Sequence, residues 1–298
     1  MYKHLTDLEA KLNKNHICKR LAIACGDDDH SLKAIYRAYQ SGFINPLIFG
    51  DKTRILELCH THNLEISEEL IVHEVDKDEA CMKAVKSVKS GEAQVLMKGN
   101  IGTSQLLKIV LNKDYGLRKN ELLSHIAIFE VSTYHKLLAV TDVAMNIAPK
   151  FSEKVSILNN AVQCLNTIGI KHPKVAVLGA VEMVYENMQA TMDAAMISKM
   201  TQRGQIKNCT VDGPLALDNV VSMSSAGYKG IKSEVAGDCD LLLVPNIETG
   251  NVLYKSMVFF AKAQLAGIVL GASAPIVLTS RSDSPEAKYN SIILACLM

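Results

Sequence analysis

The residues best suited to chemistry lie near the carboxyl terminus, in Ser280-Arg281-Ser282-Asp283-Ser284-Pro285-Glu286, directly after the apolar run Pro275 to Thr279. Ser284 can N-cap a helix, Pro285 fits its first position and Glu286 suits the positive end of its dipole, so a helix is predicted to start just after Arg281. A guanidinium and unpaired backbone N–H groups then converge at the carboxyl end of a strand, a corner that binds an anion, most often phosphate. Arg281 is the last arginine of the chain and the only one after Arg203, positive charge being supplied elsewhere mostly by lysine. A solvated surface arginine is the plainer alternative.

Ligands of doubly wound sheets bind beyond the carboxyl ends of the strands, so each strand is read by what it empties into. Val95 to Met97 runs into Lys98-Gly99-Asn100-Ile101-Gly102, a lysine and two glycines ahead of a helix, which can form an anion nest or an ordinary glycine turn. Leu137 to Val140 runs into Thr141-Asp142-Val143-Ala144-Met145-Asn146, where Asp142 and Asn146 can bind a substrate or simply close their own loop. Leu241 to Val244 runs into Pro245-Asn246-Ile247-Glu248-Thr249-Gly250-Asn251, with Thr249 expected to cap the next helix and Lys255 expected one turn inside it. Asp212-Gly213-Pro214 needs no explanation beyond a turn. Gly50-Asp51-Lys52-Thr53 lacks the second glycine of a phosphate-binding loop, and no G-x-G-x-x-G follows a strand.

These strand ends need a frame, and the alternation of short apolar runs with amphipathic stretches from Arg20 onward supplies a doubly wound α/β one, with a mainly parallel sheet buried on both faces. The alternation breaks at His125 to Val131 and Lys136 to Val140, two strands too close for a helical crossover and therefore an antiparallel hairpin. Helices are expected over Phe151 to Thr167 (capped by Ser152), Met188 to Thr201 and Thr249 to Leu265, and a strand over Lys207 to Val211. Gly213 to Gly237 reads as a mobile loop region apart from a short helix near Leu217 to Val221. Two α/β/α domains are expected, residues 1–127 with 271–298 and residues 128–270, with an active cleft between them. The stripe Met188, Met192, Met196, Met200 reads as core or subunit interface rather than a cofactor box.

Composition narrows the possibilities. With 298 residues and 48% hydrophobic content the chain can bury two modest cores. Lys plus Arg total 32 against 31 for Asp plus Glu, which leaves no basic field for nucleic acid or an anionic membrane. No apolar run reaches bilayer-spanning length and residues 1–15 lack a signal-peptide core, so a cytoplasmic location is expected. The eight cysteines have no C-x-x-C spacing and read as free buried thiols; the run Asp27-Asp28-Asp29 would raise the pKa of Cys25 rather than activate it. The nine histidines show no ligand spacing.

In their order along the chain, Val95 to Asn100, Asp142 to Asn146, Asp212 to Leu215, Gly250 to Lys255 and Ser280-Arg281 resemble the phosphate acyltransferase family of phosphotransacetylases and phosphotransbutyrylases. The likeness covers about residues 90–298, and Val277 to Ser284 looks most like the butyryl branch. It implies a homodimer of two α/β/α domains that transfers an acyl group between coenzyme A and inorganic phosphate, with no metal or bound cofactor. It further implies catalytic roles for Ser280 and Arg281, and substrate contacts from Lys98, Gly99, Asn100, Asp142, Asn146, Thr249, Gly250, Asn251 and Lys255. The acetyl branch carries a catalytic aspartate seven residues beyond the serine, and this chain has Ala287 there. Asp283 or Glu286 is then expected to act as base, unless the base comes from elsewhere. Phosphate acetyltransferase is the near alternative. A metal-dependent decarboxylating hydroxyacid dehydrogenase is the distant one, but Asp238 and Asp240 stand at the entrance of a strand, the wrong end for its metal. A non-catalytic acyl-CoA binder would have no use for Ser-Arg beside a helix start.

Overall fold

A computed structural model describes residues 2–119, 122–280 and 283–298. In chain order the elements are α1 (Thr6–Lys14), β1 (Lys19–Ala24), α2 (Asp29–Gln40), β2 (Ile44–Gly50), α3 (Lys52–Thr61), β3 (Ile71–His73), α4 (Lys77–Lys89), β4 (Val95–Lys98), α5 (Thr103–Val110), β5 (Ser124–Glu130) and β6 (Leu138–Thr141). There follow α6 (Phe151–Ile168), β7 (Lys174–Leu178), α7 (Gln189–Gln202), β8 (Thr210–Leu215), α8 (Leu217–Val221), α9 (Met223–Tyr228), β9 (Leu241–Leu243), α10 (Ile247–Phe259), β10 (Gln264–Leu270), β11 (Ile276–Val277) and α11 (Pro285–Cys296).

The chain divides into two compact units, one of Thr6–Glu121 with Ala266–Met298 and one of Met1–Leu5 with Leu122–Leu265. The boundaries therefore fall at 121/122 and 265/266 rather than at 127/128 and 270/271. The reason lies in strand pairing: a cut at 127 would split β5, whose residues Ile126 to Phe129 pair with β6, and a cut at 270 would part β10 from its partner β11.

The first unit orders its strands β3-β2-β1-β4-β11-β10. From β3 to β11 the pairings are parallel, and Leu21, Ala22, Ile23 and Ala24 of β1 are all buried, so both faces of the sheet are covered. Strands β10 and β11 pair antiparallel, Ile268 opposite Val277, because the connection between them is too short for a helical crossover. The second unit orders its strands β5-β6-β9-β7-β8, with the expected hairpin between β5 and β6 and parallel pairing from β6 to β8. No helix among the described residues is long and apolar enough to cross a membrane.

Several local expectations change. The segment Gly213 to Gly237, expected to be a mobile loop region apart from a short helix near Leu217 to Val221, completes β8, forms that helix as α8 and adds α9. The strand expected over Lys207 to Val211 runs from Thr210 to Leu215, and the helix expected over Thr249 to Leu265 ends at Phe259, leaving Leu265 to β10. Ser152 lies inside α6; the free N–H of Lys150 is instead taken by the Glu153 carboxylate at 2.6 Å. The methionine stripe is not core. Thr191, Ala194, Ile197 and Ser198 form the buried face of α7, while Met196 is 46% exposed.

Candidate active site

The parallel neighbours β1, β4 and β11 bring three loops to one edge of the first unit. Cys25 to Asp28 follows β1, Gly99 to Gly102 follows β4, and Thr279 to Ser284 follows β11. The β4 turn lies directly against the β1 turn: the Gly99 N–H donates to Ala24 O at 2.9 Å and the Asn100 N–H to Cys25 O at 2.6 Å. A Cβ on residue 99 would collide with the carbonyl oxygen of Cys25, so glycine is required by the close approach of two backbones. The Asn100 side chain donates to the Asp27 carboxylate at 3.0 Å, and the buried Lys98 ammonium turns back onto Gly99 O at 3.2 Å.

After β11, Thr279 is buried and Ser280 is exposed. The Ser280 N–H donates to the Asp283 carboxylate at 2.7 Å and the Asp283 N–H donates back to Ser280 O at 3.2 Å. His30, from the first turn of α2, donates through Nδ1 to Asp283 O at 3.1 Å. Ser284 caps α11 by accepting from the Ala287 N–H, with Pro285 at the first helical position, as the sequence indicates. Arg281 and Ser282 lie outside the described residues. Glu286 is engaged elsewhere, pairing with Arg37, whose guanidinium also stacks 3.8 Å from the Tyr289 ring. The Asp283 carboxylate thus accepts from the Ser280 N–H, and Glu286 is a surface ion-pair partner.

The second unit gathers its candidate residues at the carboxyl end of β6 and the start of α10. Asp142 accepts from the Ala144 and Met145 N–H groups, both at 2.9 Å, and from the Asn146 amide at 2.5 Å, while Asn146 also donates to Leu123 O. The pair closes its own loop. Asn246, rather than Thr249, caps α10, its Oδ1 accepting from the Thr249 N–H at 3.0 Å and from the Thr249 hydroxyl at 2.7 Å. Gly250 is set by contact, because a Cβ there would collide with the carbonyl oxygen of Asp142, and Asn251 reaches Val143 O at 3.4 Å. Lys255 is exposed and sits eight residues beyond Ile247, about 12 Å along the axis at ~1.5 Å per residue, so it is more than one turn from the helix start.

The carboxylates that a dehydrogenase metal would need are occupied. The Lys136 ammonium lies 2.8 Å from Asp238 and 2.7 Å from Asp240, and Lys174 lies 2.7 Å from Asp238. Burial alone would raise the pKa of Asp238, but hydrogen bonds from Lys136, Lys174 and His135 outweigh it and hold the carboxyl far below its ordinary range. At the other end of chemical reactivity, burial pushes the Cys25 thiol up to about 12, with Asp27 adding to the shift.

The family described as "Phosphate acetyl/butaryl transferase" matches residues 69–296. The chain belongs to that family. A phosphate butyryltransferase of Clostridium beijerinckii is 44% identical over 298 residues, 100% of this chain and 98% of its own. A phosphate acetyltransferase of Thermotoga maritima is 44% identical over 94% of this chain and 95% of its own. The crystal structure of a branched-chain phosphotransacylase from Enterococcus faecalis V583 is similar with a TM-score of 0.82 and 33% identity, over 94% of this chain and 98% of that one.

Within this phosphate acetyl/butyryl transferase, sequence reasoning missed His30 and Lys288, which contact Asp283 and Thr279 after β11, and Asp28, which stands beside Lys288. Lys288 is buried in the first turn of α11, donates to the Thr279 hydroxyl at 3.1 Å and stands 3.9 Å from Asp28. The signal for Asp28 and His30 was available, since both follow directly on strand β1. Lys288 gives none in one dimension, being a lysine in a helix like many others.

Proposed function

We propose that this protein moves a short-chain acyl group between coenzyme A and inorganic phosphate, with butyryl as the preferred acyl group: butyryl-CoA + phosphate = butyryl phosphate + CoA. The observation that carries it is the corner of the first unit, where an exposed Ser280 follows β11, the strand next to β4 and its glycine turn, ahead of a capped helix start. A phosphate oxygen attacks the thioester carbonyl, a C–O bond forms, and collapse of the tetrahedral oxyanion breaks the C–S bond. The proton that the attacking hydrogen phosphate gives up is taken by the thiolate, which leaves as CoA. Positioning and fixed donors supply most of the acceleration in such a step. Arg281 and the positive end of the α11 dipole would hold the phosphate dianion, and the Ser280 hydroxyl would donate to the oxyanion or the thiolate. The loops at Lys98 to Asn100, Asp142 to Asn146 and Thr249 to Asn251 would contact the remainder of the substrates. The reaction calls for no metal and no bound cofactor.

Butyryl is favoured over acetyl by the resemblance of Val277 to Ser284 to the butyryl branch; relatives named for each activity stand at the same 44% identity. A homodimer is supported by apolar side chains left in solvent on one face of α10, Val252 at 65% and Phe259 at 59% exposed, with Phe260 at 87% next to it. A cytoplasmic location is supported by seven buried cysteines, all free. Acyl-CoA, phosphate and a second copy of the chain are then its partners, without nucleic acid or membrane.

Phosphate-dependent release of thiol from acetyl-, butyryl- and branched acyl-CoA tests the assignment. The highest kcat/KM is expected with butyryl-CoA; a higher value with acetyl-CoA would make it an acetyltransferase, and no phosphate-dependent release from any thioester would overturn acyl transfer. Arg281→Lys keeps the charge but loses the bidentate fork, so phosphate efficiency should fall roughly 10- to 150-fold, the worth of a charge-assisted hydrogen bond of about 1.5 to 3 kcal/mol.

A further inference from the structure

Helix α11 is buried from Ala287 to Cys296, and Lys288 is the one charged residue in that span. Its side chain is 4% exposed, and its ammonium has two described polar neighbours: the Thr279 hydroxyl at 3.1 Å and the Asp28 carboxylate at 3.9 Å. Asp28 is itself occupied as the N-cap of α2, accepting from the Ser31 N–H at 2.9 Å and from the Ser31 hydroxyl. Burial lowers the pKa of Lys288, against the opposing pull of Asp28 and Asp283. An ammonium buried this deeply, with its one described ion-pair contact at 3.9 Å, is a poor device for stability, since an apolar side chain of similar volume would pack there at no desolvation cost. Its placement is specific, however. Thr279 immediately precedes Ser280-Arg281, the Asp283 carboxylate accepts from the Ser280 N–H, and His30 donates to Asp283 O.

We propose that Lys288 is a positioning residue of the phosphate corner: anchored on Thr279 and balanced by Asp28, its amine fixes Thr279, the residue before Ser280, and places one positive charge beside the site where the phosphate dianion binds. The inference rests on the assignment of that corner to phosphate. Nothing is transferred to or from Lys288 in the reaction; it acts through Thr279 and through its field, which a low-dielectric interior screens little.

Lys288→Met keeps the length of the stem and removes the amine. The expected result is a fall of at least tenfold in kcat/KM for phosphate, with the KM for butyryl-CoA within about twofold of wild type and the melting temperature unchanged or higher. Calorimetric titration with inorganic phosphate alone should show the same loss of affinity, independently of acyl transfer. Thr279→Val should reproduce the phosphate defect, Thr279→Ser should restore it by returning the hydroxyl, and Thr279→Val added to Lys288→Met should cost nothing further, because both remove one contact. If Lys288→Met does not fold, the comparison of valine with serine at 279 decides, and equal phosphate affinity in those two would overturn the proposal. It is equally overturned if Lys288→Met binds phosphate like wild type, or if every kinetic parameter drops in step with a lowered melting temperature. Wild-type protein that binds phosphate but transfers no acyl group would defeat the acyltransferase assignment while a weakened phosphate affinity in Lys288→Met would still sustain this one. Wild-type protein that does not bind phosphate defeats both.

Discussion

Asp283 and Glu286 are three residues apart in sequence and have different tasks. Glu286 pairs with Arg37 at the surface, both side chains being nearly half exposed, and such a pair contributes no more than about 1 kcal/mol. Asp283 is 7% exposed and spends its carboxylate on the Ser280 N–H. An asparagine at 283 can still accept that hydrogen bond through its amide oxygen, whereas it cannot act as a base. Asp283→Asn is therefore expected to keep the rate within about tenfold and Glu286→Gln within about threefold, as measured by phosphate-dependent thiol release. A drop of roughly 10² or more in Asp283→Asn, the usual size of a general-base contribution, would return the base to that carboxylate.

At the scale of elements, the amino ends of β6, β7 and β9 are tied by one ionic knot. Lys136, 2% exposed, bridges Asp238 and Asp240; Lys174 and His135 complete the set on Asp238, and the Tyr134 hydroxyl donates to Cys239 O at 2.8 Å. Without the Lys136 ammonium Asp240 loses its ion-pair partner, whereas Asp238 keeps Lys174 and His135, so Lys136→Met should lower stability by about 1.5 to 3 kcal/mol, the worth of a hydrogen bond to a charged group, in denaturant unfolding. The pH dependence has a definite sign. The folded-state pKa of Asp238 lies below its unfolded value of about 3.9, so its contribution is present above that value and is lost as pH falls through the folded pKa. Wild-type stability should therefore fall more steeply below pH ~4 than that of Lys136→Met. Parallel acid profiles for the two proteins would place the stabilisation elsewhere.

For the whole molecule, the exposed apolar side chains are a question of assembly. Val252 and Phe259 are seven residues apart on α10 and so share a face, and the methionines of α7 lie off its buried side. Sedimentation equilibrium is expected to give twice the 32.5 kDa chain mass at micromolar concentration, and Val252→Glu combined with Phe259→Glu is expected to return it to 32.5 kDa. Wild-type protein sedimenting at the single-chain mass throughout that range would rule out the homodimer.

What the sequence by itself determined is what short-range physics determines. Continuous apolar runs between amphipathic stretches gave strands and helices in the right order; the short connection from Val131 to Lys136 allowed only a hairpin; and Ser284, Pro285 and Glu286 marked the start of α11, because caps and turns act over three or four residues. The same connection-length rule accounts for the antiparallel pairing of β10 and β11, which only the short stretch from Leu270 to Ile276 joins. The tertiary structure alone decided which strand ends became neighbours and which polar groups met there. His30 meets Asp283 across 253 residues and Arg37 meets Glu286 across 249, contacts that no local pattern encodes. Asp142 with Asn146, and Asn246 with Thr249, were visible as polar loops, but whether such side chains face a substrate or their own backbone depends on which donors the fold leaves unsatisfied. Lys288 is the sharpest case. Its sequence context is an ordinary helical turn, and its meaning comes from the packing of α11 that buries its amine against Thr279 and Asp28.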